Sequence, residues 1–267
     1  MKIKMIMGKR IVNLSTFFIG SVVVIGGSIF SGTLWGKEIT QTIQHIKPAI
    51  VGIGTFQITR SPPVKIIGTG FVVNDGLTVV TNAHVILGVK ESEKKETLGI
   101  FTVTGGSTKF RNAMVVNLDK EHDLAQLKFG GMPLPVMEIG DSNSVQEGQS
   151  FVFTGFPLGM SLGFYPVTHN GMISSITPVV MPALNASVLD AKKLAQLKKS
   201  TFSVFQLDGT AYPGGSGSPL YDTETGIVYG IISMVLIKEL KESALSQPSG
   251  ISYAIPSNHI RELLLRK

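Results

Sequence analysis

The feature that most constrains this chain is its punctuation. From about Ile46 onward the apolar runs are short and are broken by Gly, Pro, Asn and Asp: AIVGIGTF, GTGFVVN, LTVVTNAHVI, GIFTV, NAMVVNL, DLAQLKF, SFVFTGF, SVFQL and GIVYGIISMVLI. Many short strands at this spacing point to an all-β sandwich or barrel. The 30 glycines and 13 prolines agree with that reading. No repeat of solenoid length interrupts the pattern. With 267 residues, the chain can form one large domain or two small ones. An apolar content of 43% supports a packed core and excludes general disorder. Cysteine is absent, which excludes a disulfide scaffold, a thiolate metal site and a cysteine nucleophile, and leaves the compartment open.

Two segments read as helices. They are DAKKLAQLKKS at 190–200, and PSNHIRELLLRK at 256–267 with Ser257 as its cap. TPVVMPALNAS (177–187) reads as an irregular loop, and KESEKKE (90–96) as a solvated one.

The formal net charge of +6 raises the question of nucleic acid or a membrane surface. Its distribution answers it. Lys2, Lys4, Lys9 and Arg10 precede any acidic residue, and beyond residue 36 there are 20 basic against 18 acidic residues, a net +2. No nucleic-acid partner is expected. The basic residues precede an uncharged run from Ile11 to Gly36, which is long enough to cross a bilayer. That order is the layout of a signal sequence. The run exceeds the usual hydrophobic region, which favours an inner-membrane anchor. The small residues Ser31, Gly32 and Thr33 leave a cleaved signal open. Either way, residues from about Lys37 are expected outside the cytoplasm, facing the periplasm or the cell exterior, or secreted. Residues 1–36 are thus read as a leader forming a hydrophobic helix, and 37–267 as the folded domain.

Three motifs carry chemistry: TNAHV with His84, EHDLAQLKF with Asp123, and YPGGSGSPL with Ser216. A serine hydroxyl is a poor nucleophile at neutral pH and needs a base within hydrogen-bond reach. Histidine titrates near that pH. A carboxylate holds the imidazole in one tautomer and stabilises its cation, and backbone N–H groups receive the developing oxyanion. Glycines around Ser216 allow that backbone geometry. The donors would be the N–H groups of Gly214 and Ser216. The order His, Asp, Ser is that of chymotrypsin-type enzymes. Singly, each motif is weak. A histidine after an apolar strand is usually structural, and GGSGS alone would be a flexible loop. Order, separation and strand context together carry the reading.

On these residues the chain resembles the trypsin-like protease superfamily, and most of all the protease domain of HtrA-type (high-temperature-requirement) proteases. KPAIVGI is similar to the family's opening strand, GTGFVVNDGLTVVTNAHV to its histidine segment, and HDLAQLKF to its aspartate strand. IGDSNSVQEGQSFVFTGFPLG followed by GMISSI resembles the start of its second barrel, and FQLDGTAYPGGSGSPLYD its serine segment. GIVYGIISM and GISYAIPSNHI resemble its last strands and the entry to its closing helix.

The resemblance implies two six-stranded antiparallel β-barrels, chymotrypsin-like, over about 46–140 and 141–256. A short C-terminal helix over 257–266 would follow, and the triad would lie between the barrels. It implies hydrolysis of peptide bonds in polypeptide substrates through an acyl-enzyme, without metal or organic cofactor, and a role in protein quality control. Relatives of this type are commonly trimeric. They usually carry PDZ modules, and none is expected in the eleven residues after Pro256. The family usually has Asn where Gly215 stands and Gly where Ser218 stands, so the oxyanion hole of this chain is looser before the nucleophile. The stretch 180–200, longer and more charged than is usual, is expected to cover or shape the cleft. The alternative reading is a binding or chaperone-like protein on a protease fold, with little activity.

In this fold the substrate pocket is expected from Thr210 and from Ile231, Ile232 and Ser233. Thr210 stands where an aspartate would select Lys or Arg. A neutral, apolar pocket suits small or medium aliphatic side chains. GSGSP also resembles glutamyl endopeptidases, but their acid-binding histidine is matched here by Ile232. Among the other histidines, His122 is expected on the strand face opposite Asp123, His45 and His259 are expected in solvent, and His169 before a turn-like Asn170-Gly171. No histidine–carboxylate spacing resembles a metal site.

Overall fold

A computed structural model describes residues 31–89, 96–104, 107–157, 163–180, 201–234 and 250–266. Contacts divide the chain into two units, residues 1–40 and 41–267. Of the first, only 31–40 are described, and they are helical, as part of α1 (Ser31–Ile46). Most of the apolar leader and all of the expected helix at 190–200 lie outside the described residues. Among the described residues, no helix is long and apolar enough to cross a membrane.

In the second unit, a single 3₁₀ turn with Pro48 leads into twelve strands. The first six are β1 (Ile50–Phe56), β2 (Val64–Val73), β3 (Thr78–Thr81), β4 (Thr97–Thr104), β5 (Ser107–Asp119) and β6 (Leu124–Phe129). They close a barrel in the order β1-β2-β3-β6-β5-β4, and each registered pair is antiparallel. The other six are β7 (Ser150–Gly155), β8 (Val167–Val180), β9 (Thr201–Asp208), β10 (Pro219–Tyr221), β11 (Val228–Ile232) and β12 (Ile251–Pro256). They close a second barrel in the order β10-β11-β12-β9-β8-β7, again antiparallel. A five-residue helix, α2 (Ala83–Leu87), follows β3, and α3 (Ser257–Leu265) closes the chain.

The punctuated runs become strands because closure buries one face of each without leaving an edge. Val51, Ile53, Val72, Val79, Leu98, Ile100 and Leu127 fill the first barrel, and Phe151, Phe153, Ile173, Phe205, Leu207, Leu220 and Ile232 fill the second. Each such side chain contributes about 1.5–3 kcal/mol through burial. With no disulfide to help, these two cores and the ladders hold the fold.

Three local readings are corrected. Residues 177–180 are not loop but the end of β8, where Thr177 pairs with Val204. Asn170-Gly171 is not a turn: both residues pair with β7 in mid-strand, and tertiary pairing overrides their turn preference. Ser257 does not cap α3. Its hydroxyl donates to Gly140 O at 2.8 Å and ties the helix to the connection between the barrels.

Candidate active site

His84 lies on α2, directly after β3, so the helix carries its ring beyond the barrel rim. Asp123 is the last residue of the turn between β5 and β6. Its φ of 51° lies in the left-handed region, which Asp tolerates better than most side chains. β6 starts at the next residue, Leu124. Asp123 O receives the N–H of Ala83 at 3.0 Å and the side-chain amide of Asn82 at 3.0 Å, so the two loops are locked together through their main chains.

The structure brings His84, Asp123 and Ser216 into one chain of hydrogen bonds. His84 Nδ1 is 2.7 Å from Asp123 Oδ2, and His84 Nε2 is 2.9 Å from Ser216 Oγ. Asp123 is fully buried, which would be costly for a lone carboxylate. It is compensated by the His84 ring, the His84 backbone N–H at 2.8 Å to Oδ1, and the Ser233 hydroxyl at 2.9 Å to Oδ2. With Nδ1–H held by the carboxylate, Nε2 is left to accept a proton from Ser216.

Ser216 sits in the turn between β9 and β10. Gly217 follows with φ 89°, and a Cβ there would lie 1.9 Å from Thr69 O, so only glycine fits between Ser216 and β2. Gly214 has φ 92°, and Gly215 N–H donates to Tyr212 O at 2.8 Å. The N–H groups of Gly214 and Ser216, the expected oxyanion donors, take no partner among the described residues.

The four expected pocket residues differ in exposure. Ile231 and Ile232 are fully buried, and Ile232 packs into the second barrel. Ser233 is likewise buried and serves Asp123. Thr210 alone keeps partial exposure. Beside it, the Ser252 hydroxyl, also buried, donates to Gly209 O at 2.6 Å and receives the Ala211 N–H at 2.7 Å. Sequence reasoning missed Ser252, and it missed Thr69, whose contacts are described below.

The remaining histidines also differ from expectation. His122 does not point across a strand. It lies in the β5–β6 turn, and its Nδ1 is 2.9 Å from Asp119 Oδ2. Its ring stacks on His259 of α3 at 4.0 Å, so His259 is not a solvated end residue. Burial, with the neighbouring His122 adding to it, pushes the His259 imidazole below its ordinary value. Burial would raise the Asp119 carboxyl, but hydrogen bonds from His122 and the charges of His122 and Arg266 hold it well below the usual range. His169, stacked on Phe153, is likewise lowered by burial.

Comparison with known proteins agrees with the fold. The trypsin-like peptidase domain matches residues 68–231, more than half of the chain. Serine protease HTRA1 of Xenopus laevis is 28% identical over 231 residues, which cover 85% of this chain and 42% of that protein. Serine protease HTRA3 of Homo sapiens is 26% identical over 231 residues, covering 85% and 44%. The chain thus spans about two fifths of the length of the curated relatives it matches. Among solved structures, Deg5 superposes with a TM-score of 0.59 at 22% identity, covering 85% of this chain and 92% of that one. The HtrA-type protease AlgW with tripeptide superposes with a TM-score of 0.57 at 21% identity, covering 85% and 62%. On its barrels and on this match, the chain belongs to the trypsin-like peptidase family.

Proposed function

We propose that this protein is a serine endopeptidase whose catalytic residues are His84, Asp123 and Ser216. One observation carries the reading: a single imidazole bridges a buried carboxylate at 2.7 Å and a serine hydroxyl at 2.9 Å. Ser216 Oγ attacks the scissile carbonyl while its proton passes to His84 Nε2. The carbonyl electrons move onto oxygen, which Gly214 and Ser216 N–H receive. Collapse of this intermediate expels the amine, protonated by His84, and leaves an ester on Ser216. Water then attacks the ester by the same route, with His84 as base, and restores the free serine. Asp123 keeps the imidazole oriented and stabilises it when protonated. Thr210, neutral and partly exposed, supports cleavage after small or medium aliphatic residues. Cleavage of a mixed peptide library chiefly after Lys, Arg, Asp or Glu would refute that preference. The basic leader and uncharged run support action outside the cytoplasm.

The deciding experiment is labelling with a fluorophosphonate. The wild type is expected to gain one adduct on Ser216, and Ser216→Ala none. A folded wild type that takes no label refutes the proposal.

A further inference from the structure

Thr69 of β2 is fully buried and has every hydrogen-bonding group engaged. Its backbone N–H donates to Ser216 O at 2.8 Å, and its carbonyl receives the Thr81 hydroxyl at 2.7 Å. Its hydroxyl donates to Gly214 O at 2.8 Å and accepts the Phe156 N–H at 3.0 Å. One residue of the first barrel therefore grips the nucleophile turn of the second at two carbonyls.

The grip on Gly214 O matters because of what surrounds it. The two N–H groups that take no partner among the described residues belong to the peptide planes Pro213–Gly214 and Gly215–Ser216. The plane between them carries the Gly214 carbonyl and the Gly215 N–H. A peptide plane is rigid, so the only soft rotations are at its two α-carbons. Here both are glycine α-carbons, which restrict rotation least of all residues. Nothing on residue 215 can hold the turn from a side chain. The middle plane is pinned instead at its two ends, at the carbonyl by Thr69 and at the N–H by Tyr212 O.

We infer that the Thr69 hydroxyl is a positioning residue for the oxyanion hole: by fixing the Gly214–Gly215 plane, it keeps the N–H groups on either side aimed at one point. The inference rests on the serine endopeptidase reading. It assigns the restraint that a side chain at position 215 would supply to a threonine on the other barrel.

The test compares Thr69→Val, which keeps the shape and removes the hydroxyl, with Thr69→Ser, which keeps the hydroxyl. The readouts are kcat and KM on a small peptide ester, the rate of fluorophosphonate labelling, and the thermal midpoint. Thr69→Val is expected to lower kcat about 10- to 100-fold, somewhat less than deleting an oxyanion donor outright, with KM within about twofold. Thr69→Ser is expected to stay within about threefold of wild type in both. If Thr69→Val does not fold, Thr69→Cys, whose thiol is a weak donor, takes its place and is expected to fall below Thr69→Ser in kcat. The inference is overturned if the variant lacking the hydroxyl retains wild-type kcat, or if Thr69→Ser loses as much as it does. A loss that appears in KM alone, or that only tracks the unfolded fraction, also overturns it. A wild type that never takes the label defeats the endopeptidase reading. A labelled wild type with an equally reactive Thr69→Val defeats only the role of Thr69.

Discussion

Two carboxylate–imidazole pairs stand four residues apart on the same turn of the first barrel, and they have different fates. Asp123 holds His84, and Asp119 holds His122, with ring-to-carboxylate distances of 2.7 and 2.9 Å. Both carboxylates are buried and both receive backbone N–H groups. The difference lies on the far side of each ring. Beyond His84 stands a serine hydroxyl, whereas the His122 ring is stacked on His259 with Phe202 at its edge. The third partner differs too. Asp123 takes the neutral Ser233 hydroxyl, and Asp119 takes the Arg266 guanidinium from the last turn of the chain. A neutral donor leaves the carboxylate's charge available to the histidine when it gains a proton, and a cation consumes it. A buried His–Asp pair is therefore machinery only when its other nitrogen has something to activate.

The largest effect expected from this contrast comes from the two aspartates. Asp123→Asn should lower kcat by about ten-thousand-fold, because the amide stabilises the wrong tautomer of His84. Asp119→Asn should leave kcat within about threefold and lower the thermal midpoint instead. A comparable loss of kcat from both would erase the distinction. Next come the third partners. Ser233→Ala should cost about tenfold in kcat through one lost hydrogen bond to a charged group. Arg266→Met should cost about 1–2 kcal/mol in urea unfolding and leave kcat alone. Steady-state kinetics and unfolding on the same samples separate the two.

The smallest effect concerns pH. His259 is pushed below 6.5 in the folded state, first by burial and then by His122. The unfolded chain therefore binds the proton first. Its contribution to stability is complete above 6.5 and is lost as pH falls through 6.5 toward the lowered folded value. His122 from the turn, Asp119 at the end of β5, Phe202 from β9 and Glu262 on α3 face this group, with Arg266 beyond, paired to Asp119. Asp119, held lower still, keeps its charge until far more acidic conditions. Urea unfolding at about pH 7.5 and about pH 5.5 should show lower stability at the acidic value. His259→Phe should flatten the difference, and an unchanged slope would show that the stack does not sense protons.

The strands and the three chemical residues could be read from the chain because their signals are local. A short apolar run closed by Gly or Pro reads as a strand wherever it lies, and a histidine or a serine in a glycine turn advertises its own chemistry. What could not be read is pairing at a distance. Thr69 and Gly214 are 145 residues apart, so nothing near either foretells the hydrogen bond between them. Ser233 looked like a pocket residue because it follows a strand beside the nucleophile, and its partner Asp123 lies 110 residues earlier. The full burial of Ile231 and Ile232 was not legible either, because one strand does not reveal what packs on its two faces. His259 was placed in solvent because its helix is short and charged. Only the fold brings the β5–β6 turn against it.

The Arg266–Asp119 link has a consequence in time. It joins residues 147 apart in sequence, and His84 meets Ser216 across 132. Contacts of such separation form late and slowly, because most of the chain must be present before they can close. During synthesis the first barrel, which carries His84 and Asp123, emerges before the turn that brings Ser216. Arg266, just past α3, reaches Asp119 only after the strands of both barrels have been made. A chain that ends before residue 216 thus holds the His84–Asp123 pair without Ser216. The Arg266–Asp119 link is thus a late fastening of the last residues to the first barrel.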